Sequence, residues 1–591
     1  MPDQKNLVIA IVLSLVILLG FQYLYELPHM RAQKAAEEAQ QTQLAQQAPS
    51  TAKPVPPGAS VPAPAAAPGA AAQTPAALDR DAILKGQARV RIDSPRVTGS
   101  IALEGARIDD ITLATYHETT DPKSPPITLL NPAGSADAYY AETGWVPEDH
   151  AVPVPTAETR WTADHDTLTP DQPVTLSWDN GQGLRFERRY EIDRDFMITV
   201  TSRVTNTSAQ PVSLMPYGLI LRAGTPPTSG YYILHEGPVA VFNDRLDEPN
   251  YKDIVKAGTI SETSTGGWLG ITDKYWLVSL IPDQKETFAA HFVHSVPDGR
   301  DRFQADYLGS AQQVAPGGST TSTLHLFAGA KEVKLLTRYR DVLGIPKFDD
   351  AVDWGWFFFI TKPIFEALDW IYKQVGNFGI AIMILTVMVK ALFFPLANRS
   401  YVMMSRMKAL TPEMTAMRER FGDDKQRLNQ EMMALYKKHQ VNPLSGCFPI
   451  VLQIPVFFSL YKTLFVTIEM RHAPFFGWVH DLSAPDPTSI LTLFGLVPWT
   501  PPAMLDPISL GAWPIFMGFT MFLQQRLNPQ PADPVQAKVF MFMPIIFTFM
   551  LAHFAVGLVI YWSWNNLLSM AQQWVIMRRT RRLGTPAPAR T

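Results

Sequence analysis

The chain has one cysteine, Cys447, in 591 residues. That excludes an internal disulfide and any multi-cysteine metal or redox framework within a single copy. Its place in an apolar run marks it as a packed core residue. Hydrolase and nucleotide signatures are missing too: there is no phosphate loop, no zinc-binding His-Glu-x-x-His and no nucleophile elbow. No carboxylate pair stands out as an acid–base couple. Catalysis, a metal and a cofactor are therefore not expected. Neither internal repeats nor paired interrupted helices are visible, which counts against a solute transporter or channel carrying an exported β domain. The formal net charge is −3 at pH 7, and this near-neutral average conceals a segregation of apolar and polar stretches.

The length exceeds one compact domain, so several units are expected. Residues 7–25 form an apolar run long enough to cross a hydrocarbon core of roughly 30 Å. Glu26-Leu27-Pro28-His29-Met30 follows in place of a small-residue cleavage site, so 1–30 reads as an uncleaved signal anchor. Residues 31–78 are Ala, Gln and Pro with almost no large apolar side chain, and read as a disordered tether. From 79 to 345 short alternating runs lie between turn residues. Ile198, Val200 and Val204 alternate with Thr199, Thr201 and Arg203, and Phe186, Arg188, Tyr190 and Ile192 give a similar signal, which predicts an all-β sandwich.

Residues 346–375 turn helical. Trp354, Phe357, Phe358, Ile364, Phe365, Leu368 and Ile371 fall mostly on one face, interrupted by Lys362, Glu366 and Asp369, which suits a helix lying along a bilayer surface. Residues 376–577 contain five spanning candidates, near 376–396, 447–467, 510–527, 540–554 and 558–576. The last two meet in a tight turn at Ala555-Val556-Gly557. With the anchor this makes six spans. The run 490–496 is too short to span, is followed by Pro498, Pro501, Pro502 and Pro507, and reads as a loop.

Lys and Arg gather in the connection after the second span and in the tail 578–591, and such loops stay in the cytoplasm. Both termini are then inside, and the β domain, between the first two spans, is outside.

The residue with most functional weight is Lys390, inside a span. A central cation costs about 2.5 to 3.5 kcal/mol on insertion scales, so it snorkels to the headgroups or faces a partner or a wet cavity. Thr386 precedes it by one turn on the same face. Gln453, Gln524, Gln525, Ser563, Asn565 and Asn566, with Tyr561 and Trp562, add polar groups to the other spans. Each alone suits an interhelical hydrogen bond; together with Lys390 they suit a polar cavity. His553 has no metal-spaced companion and reads as structural.

Residues 398–442 form a cytoplasmic helical hairpin. Thr411-Pro412 opens its first arm, Gly422 stops it, and Asp423 with Gln426 resembles a capping box for the second. Met403, Met404, Met407, Met414, Met417, Met432 and Met433 suit either an adaptable client-binding surface or the seam between the arms. Arg418, Arg420, Arg578 and Arg579 suit ribosomal RNA, though the positive-inside bias explains them equally.

The segment order resembles the YidC-type insertase family of Gram-negative bacteria. The resemblance rests on 417–427, 430–437, Val441-Asn442-Pro443-Leu444, Gly446-Cys447-Phe448-Pro449, Gly376-Asn377-Phe378-Gly379, Gln453-Ile454-Pro455-Val456-Phe457, Ala473-Pro474-Phe475, His480-Asp481-Leu482-Ser483 and Phe542-Met543-Pro544-Ile545-Ile546-Phe547. In the exposed domain it rests on Gly266-Gly267-Trp268-Leu269-Gly270-Ile271-Thr272-Asp273-Lys274-Tyr275-Trp276. It implies an inner-membrane insertase for nascent membrane proteins, working alone or beside the Sec translocon, with the ribosome as a further partner. It also implies a periplasmic β-supersandwich, a hydrophilic groove open to cytoplasm and lipid, and no cofactor. Lys390 stands where the family usually has arginine, which keeps the charge but loses the planar donor fork. Thr386, Gln453 and Trp562 match groove-side positions. The Pro-rich stretch 497–507 departs from the family pattern.

Overall fold

The computed structural model describes residues 79–149, 151–226, 228, 234–421, 424–439, 441, 448–499, 501–527 and 534–582. The expected signal anchor and tether, Cys447, Gly422, Asp423 and the end of the basic tail lie outside these residues.

The alternating region folds into two large sheets. One has eleven strands, ordered Thr259–Thr265, Thr287–Ser295, Arg302–Gly309, Val212–Ala223, Tyr139–Pro147, Ile108–His117, Val97–Ala102, Arg89–Asp93 and Thr167–Leu168, with Gln312–Val314 and Pro126–Leu130 pairing off this path. The other has nine, ordered Arg245–Asp247, Gly237–Phe242, Gly267–Thr272, Trp276–Ile281, Ser319–Ala330, Met197–Asn206, Leu184–Ile192, Val174–Asp179 and Thr162–Ala163. Pairing is antiparallel apart from Arg89–Asp93 with Thr167–Leu168. The expected alternation is observed: Ile198, Val200 and Val204 are buried while Arg203 is exposed. Arg188 also points inward beside Tyr190. Its guanidinium sits 4.6 Å over the Trp161 ring and donates to the Gly105 carbonyl, which satisfies a charge that burial would otherwise penalise.

Short helices α1 (Arg80–Gly86) and α2 (Tyr251–Ala257) accompany the sheets, and α3 (Val333–Leu343) leaves the last strand. Then come α4 (Phe358–Val375), α5 (Phe378–Leu392), α6 (Phe394–Ala409), α7 (Thr411–Phe421), α8 (Lys425–Lys438), α9 (Phe448–Val466), α10 (Ala512–Leu527), α11 (Pro534–Leu551) and α12 (Val556–Arg582). Helix α4 buries Ile364, Phe365, Leu368 and Ile371 as its pattern predicts. Phe358 is instead exposed beside Phe359, because the helix starts only there, and Trp354 packs from the preceding loop onto Phe365. Lys362 is held by Asp349 and Asp350 at 3.0 and 2.7 Å.

The turn between α4 and α5 gives Gly376-Asn377-Phe378-Gly379 a physical reason. Gly376 takes a left-handed conformation that ends α4, and Asn377 caps α5 by accepting the Ile380 amide. Phe378 stacks on Tyr372, and a Cβ at Gly379 would lie 2.0 Å from the Phe475 ring, so glycine admits the aromatic of Ala473-Pro474-Phe475.

Each of the five spanning segments predicted within 376–577 contains a helix. Among the described residues, however, no single helix is both long and apolar enough to cross a membrane; α5 and the start of α6, bent by 67° at Phe393, meet that requirement together. Helix α10, with 16 residues, is about 24 Å long at the usual rise per residue. Residues 490–496, read as a loop, contain 3₁₀ turns over Ile490–Gly495.

The segment expected to form a cytoplasmic hairpin also differs from expectation. Residues 398–409 continue α6, so the arms proper are α7 and α8, and Asp424 caps α8 by accepting the Arg427 amide. Thr411 is already the first helical residue. Met414 is buried in the seam with Leu410, Leu435 and Val441, flanked by Met407, Met417 and Met432, while Met433 is exposed. The seam therefore takes most of these methionines, because a hairpin two helices thick has no other core.

The sandwich docks on the helices through long-range bonds. Arg471, beyond α9, donates to the His117 carbonyl at 2.6 Å and lies over Trp276. Glu469 accepts the Val333 amide at 3.0 Å, and Lys462 of α9 pairs with Asp353 at 2.8 Å. The Lys274 ammonium lies 3.7 Å from the centre of the Phe465 ring. Trp268 is fully buried against Phe348 and donates to the Pro346 carbonyl. Residues 266–276 are thus the clasp between the two parts. At Gly267 (φ +103°) a Cβ would meet the Val241 carbonyl at 2.0 Å, so only glycine fits.

Candidate functional site

A cavity of about 570 Å³ opens between α5, α6, α9, α10, α11 and α12. All four residues singled out for a groove, Lys390, Thr386, Gln453 and Trp562, line it, as do Gln524, Gln525, Asn565 and Asn566.

Helix α5 supplies the cation. Pro395 has no amide to offer the Ala391 carbonyl and its ring opposes a continuous helix, so the chain breaks at Phe393 and restarts as α6. Lys390 lies in the last turn before this break, closer to the helix end than the expected two turns. It is half-buried, and its Nζ donates to the Ser569 hydroxyl of α12 at 2.8 Å. Ser569 in turn donates to the Asn565 carbonyl. Among the described residues no carboxylate pairs with Lys390, so its charge is held by hydroxyl and cavity, without a counter-ion. Thr386 is buried and spends its hydroxyl proton on the Ile382 carbonyl, so it presents only acceptor capacity to the cavity.

Helix α9 places Gln453, whose amide donates to the Tyr561 hydroxyl at 2.7 Å. Asn566 bonds Thr520 of α10 at 3.2 Å, so this asparagine ties helices together. Trp562 is half-buried, with its ring edge-on to Phe457 at 4.7 Å and 5.8 Å from Phe547, and forms an apolar wall. Ser563 turns away and donates to the Val559 carbonyl, outside the lining. Among the described residues the arrangement offers one cation, several amides and an apolar flank, with room for a short polar chain segment, and no nucleophile–base pair.

Ser569, Tyr401 and Gln572 also line the cavity and were not singled out from sequence. A signal existed. Asn565, Asn566, Ser569, Gln572 and Gln573 follow Trp562 at three- and four-residue spacing, a polar stripe on a stretch that is otherwise mostly apolar as far as Met577. The Gln572 amide nitrogen is buried and unpaired among the described residues, the state of a group satisfied by water or by a passing chain.

The remaining candidates lie elsewhere. Met414 and Met417 belong to the α7–α8 seam; Arg418 is half-buried, Arg420 is exposed beside the Phe421 ring, and Arg578 is exposed over Trp574. Arg579 lies on α12, with its side chain outside the described atoms. His553 is exposed in the turn after α11.

The family profile of the YidC periplasmic domain matches residues 89–367, and that of the 60Kd inner membrane protein matches 370–582. A membrane protein insertase YidC from Methylobacterium sp. (strain 4-46) is 53% identical over 98% of this chain and 95% of its own length. Another, from Granulibacter bethesdensis, is 51% identical over 98% of both. The chain belongs to the YidC family. A solved structure, described as an active YidC insertase with its first transmembrane domain resolved, covers 82% of this chain and 92% of its own, at 17% identity and a TM-score of 0.35. In YidC terms, the β-rich half is the periplasmic domain and the helical half is the inner membrane protein region.

Proposed function

We propose that this protein is a membrane protein insertase of the inner membrane that takes nascent membrane proteins through the cavity around Lys390. The observation that carries the reading is convergence: Lys390, Thr386, Gln453 and Trp562, spread over 176 positions of sequence, line one cavity. A polar flank resting there crosses a shorter apolar distance, which lowers the several-kcal/mol cost of moving polar groups through hydrocarbon. The hydrophobic segment leaves sideways to lipid past the exposed residues Ile384, Val387 and Met388 of α5. Cargo must depart, so binding is weak, and the chemistry is physical transfer without catalysis.

The layout that goes with this reading is a signal anchor (1–30), a tether (31–78), a periplasmic sandwich (79–345), an interfacial helix (346–375), a five-helix core (376–577) containing the cytoplasmic hairpin, and a basic tail (578–591). It has six spans and both termini in the cytoplasm. The Sec translocon and the ribosome are the partners it implies. Arg418, Arg420, Arg578 and Arg579 are the ribosome-facing candidates.

The test grades the charge. Lys390→Ala impairs insertion of small clients with acidic exported tails, and Lys390→Arg preserves it, as read by protease protection of those tails. Full insertion by the alanine variant contradicts a role for the cation.

A further inference from the structure

The connection between α9 and α10 contains a closed loop that neither the cavity nor the clasp uses. Asp486 and Thr488 build its neck. The Asp486 carboxylate accepts the Thr488 amide and hydroxyl, the Trp478 indole and, from the start of α10, the Trp513 amide at 2.8 Å. The Thr488 hydroxyl accepts the Ala512 amide, Ser509 bonds Ser489 at 2.7 Å, and the Ile490 amide bonds the Leu510 carbonyl. A Cβ on Gly511 would fall 2.7 Å from Asp486, so the two sides are in direct contact. The result is a loop pinched at its base, with the excursion held by the neck.

The excursion itself is apolar. No charged residue occurs between Asp486 and Asp506. Leu493, Phe494, Leu496, Trp499 and Met504 are exposed, Leu496 by 84%. Its backbone is largely self-satisfied: Phe494 N bonds the Ser489 carbonyl, Val497 N the Thr492 carbonyl, Gly495 N the Thr492 hydroxyl and Leu505 N the Pro502 carbonyl. To reach this arrangement Leu493 and Phe494 adopt left-handed conformations (φ 48° and 59°), which bulky residues rarely take without compensation. Outward apolar side chains on an internally bonded backbone suit surroundings that cannot hydrogen-bond. Phe516, Phe519 and Leu523 of α10, which follows the loop in the chain, are exposed as well.

We propose that the tip of this loop, carrying Leu493, Phe494, Leu496, Trp499 and Met504, dips into the outer leaflet of the bilayer as an anchor beside α10. Its partner is the boundary between lipid headgroups and acyl chains, where the amphipathic ring of tryptophan is favoured and leucine and phenylalanine bury against the acyl side. The inference rests on the membrane-spanning reading of α9 and α10 given above. The neck fixes the depth, because Asp486 joins the loop to the first turn of α10.

The test uses the full chain in liposomes with Cys447→Ser and an environment-sensitive label at one of three positions. Leu496→Cys probes the tip, Ile384→Cys the lipid-facing side of α5, and Lys252→Cys the exposed surface of α2. The expected result is that the Leu496 label is blue-shifted, quenched by doxyl-lipid and several-fold less quenched by iodide than the Lys252 label, as the Ile384 label is. Iodide quenching at Leu496 equal to that at Lys252, with Ile384 still quenched by lipid, overturns the anchor and leaves the spanning reading intact. Iodide quenching at Ile384 overturns the spanning reading itself. Shielding of Leu496 from both quenchers means that protein covers the tip, which also overturns the anchor.

Discussion

Lys390 shows what a single side chain's neighbours decide. Its ammonium donates to the Ser569 hydroxyl, midway along α12, whose own proton goes to the Asn565 carbonyl, and no carboxylate neutralises it among the described residues. On the proposed function that charge would receive an acidic client flank, and the one observed contact, a single hydroxyl, makes no use of a planar guanidinium fork. The presence of Lys390, Thr386, Gln453 and Trp562 in the site was legible because intramembrane polar residues are rare and costly. Ser569 escaped notice because a serine in a helix is unremarkable until the spacing of its polar neighbours is counted. A second buried group, Glu469, lies where the sandwich meets the helices. Burial, reinforced by Glu332 and Asp369, pushes its carboxyl up to about 7. The sign follows: folding with a raised pKa favours the protonated form, so this stability is complete below about pH 4.5 and is lost as pH rises through about 7. Glu469→Gln keeps an oxygen for the Val333 amide and removes the ionisation. Its melting temperature relative to the unsubstituted protein should increase between about pH 5 and pH 8.5, by the equivalent of up to roughly 3 kcal/mol. A flat difference across that range would remove Glu469 from the pH dependence of docking.

Among the elements, the break between α5 and α6 sets the site. It puts Lys390 at a helix end and turns α6 by 67°. Pro395→Ala supplies the missing amide to the Ala391 carbonyl, so it should straighten the joint and lengthen the distance between spin labels at Ile384 and Val402. An unchanged distance would assign the bend to packing. Pro395 was visible in the sequence, yet hydropathy blends the residues on either side of it into one span, so the bend was not. The sandwich was legible from the period-two alternation of runs such as Met197–Asn206. Its strand order was not, because Met197–Asn206 pairs with Ser319–Ala330, more than a hundred residues away, and nothing local encodes that choice. The 3₁₀ turns inside the loop 490–496 were not legible for a related reason: they are stabilised by a neck whose two sides, Asp486 and Trp513, are separated by the whole loop.

For the whole molecule, the clasp at 266–276 converts a periplasmic sandwich and a helical core into one body, through Trp268, Lys274 and their partners beyond Pro346. The motif was legible as a family signature. Its mechanical meaning needed the fold, because Phe348, Phe465 and Arg471 approach it from far along the chain. Around that frame, the proposed function has a nascent membrane segment occupying the cavity between α5, α9 and α12. The most direct measurement places a photo-crosslinking amino acid at Gln453, at Trp562 and, outside the cavity on α11, at Phe549, in cells carrying a stalled nascent membrane protein. Strong crosslinks to the nascent chain from Gln453 and Trp562, with several-fold weaker ones from Phe549, are the predicted result. Equal crosslinking from all three positions, or none from the two cavity positions, would contradict it.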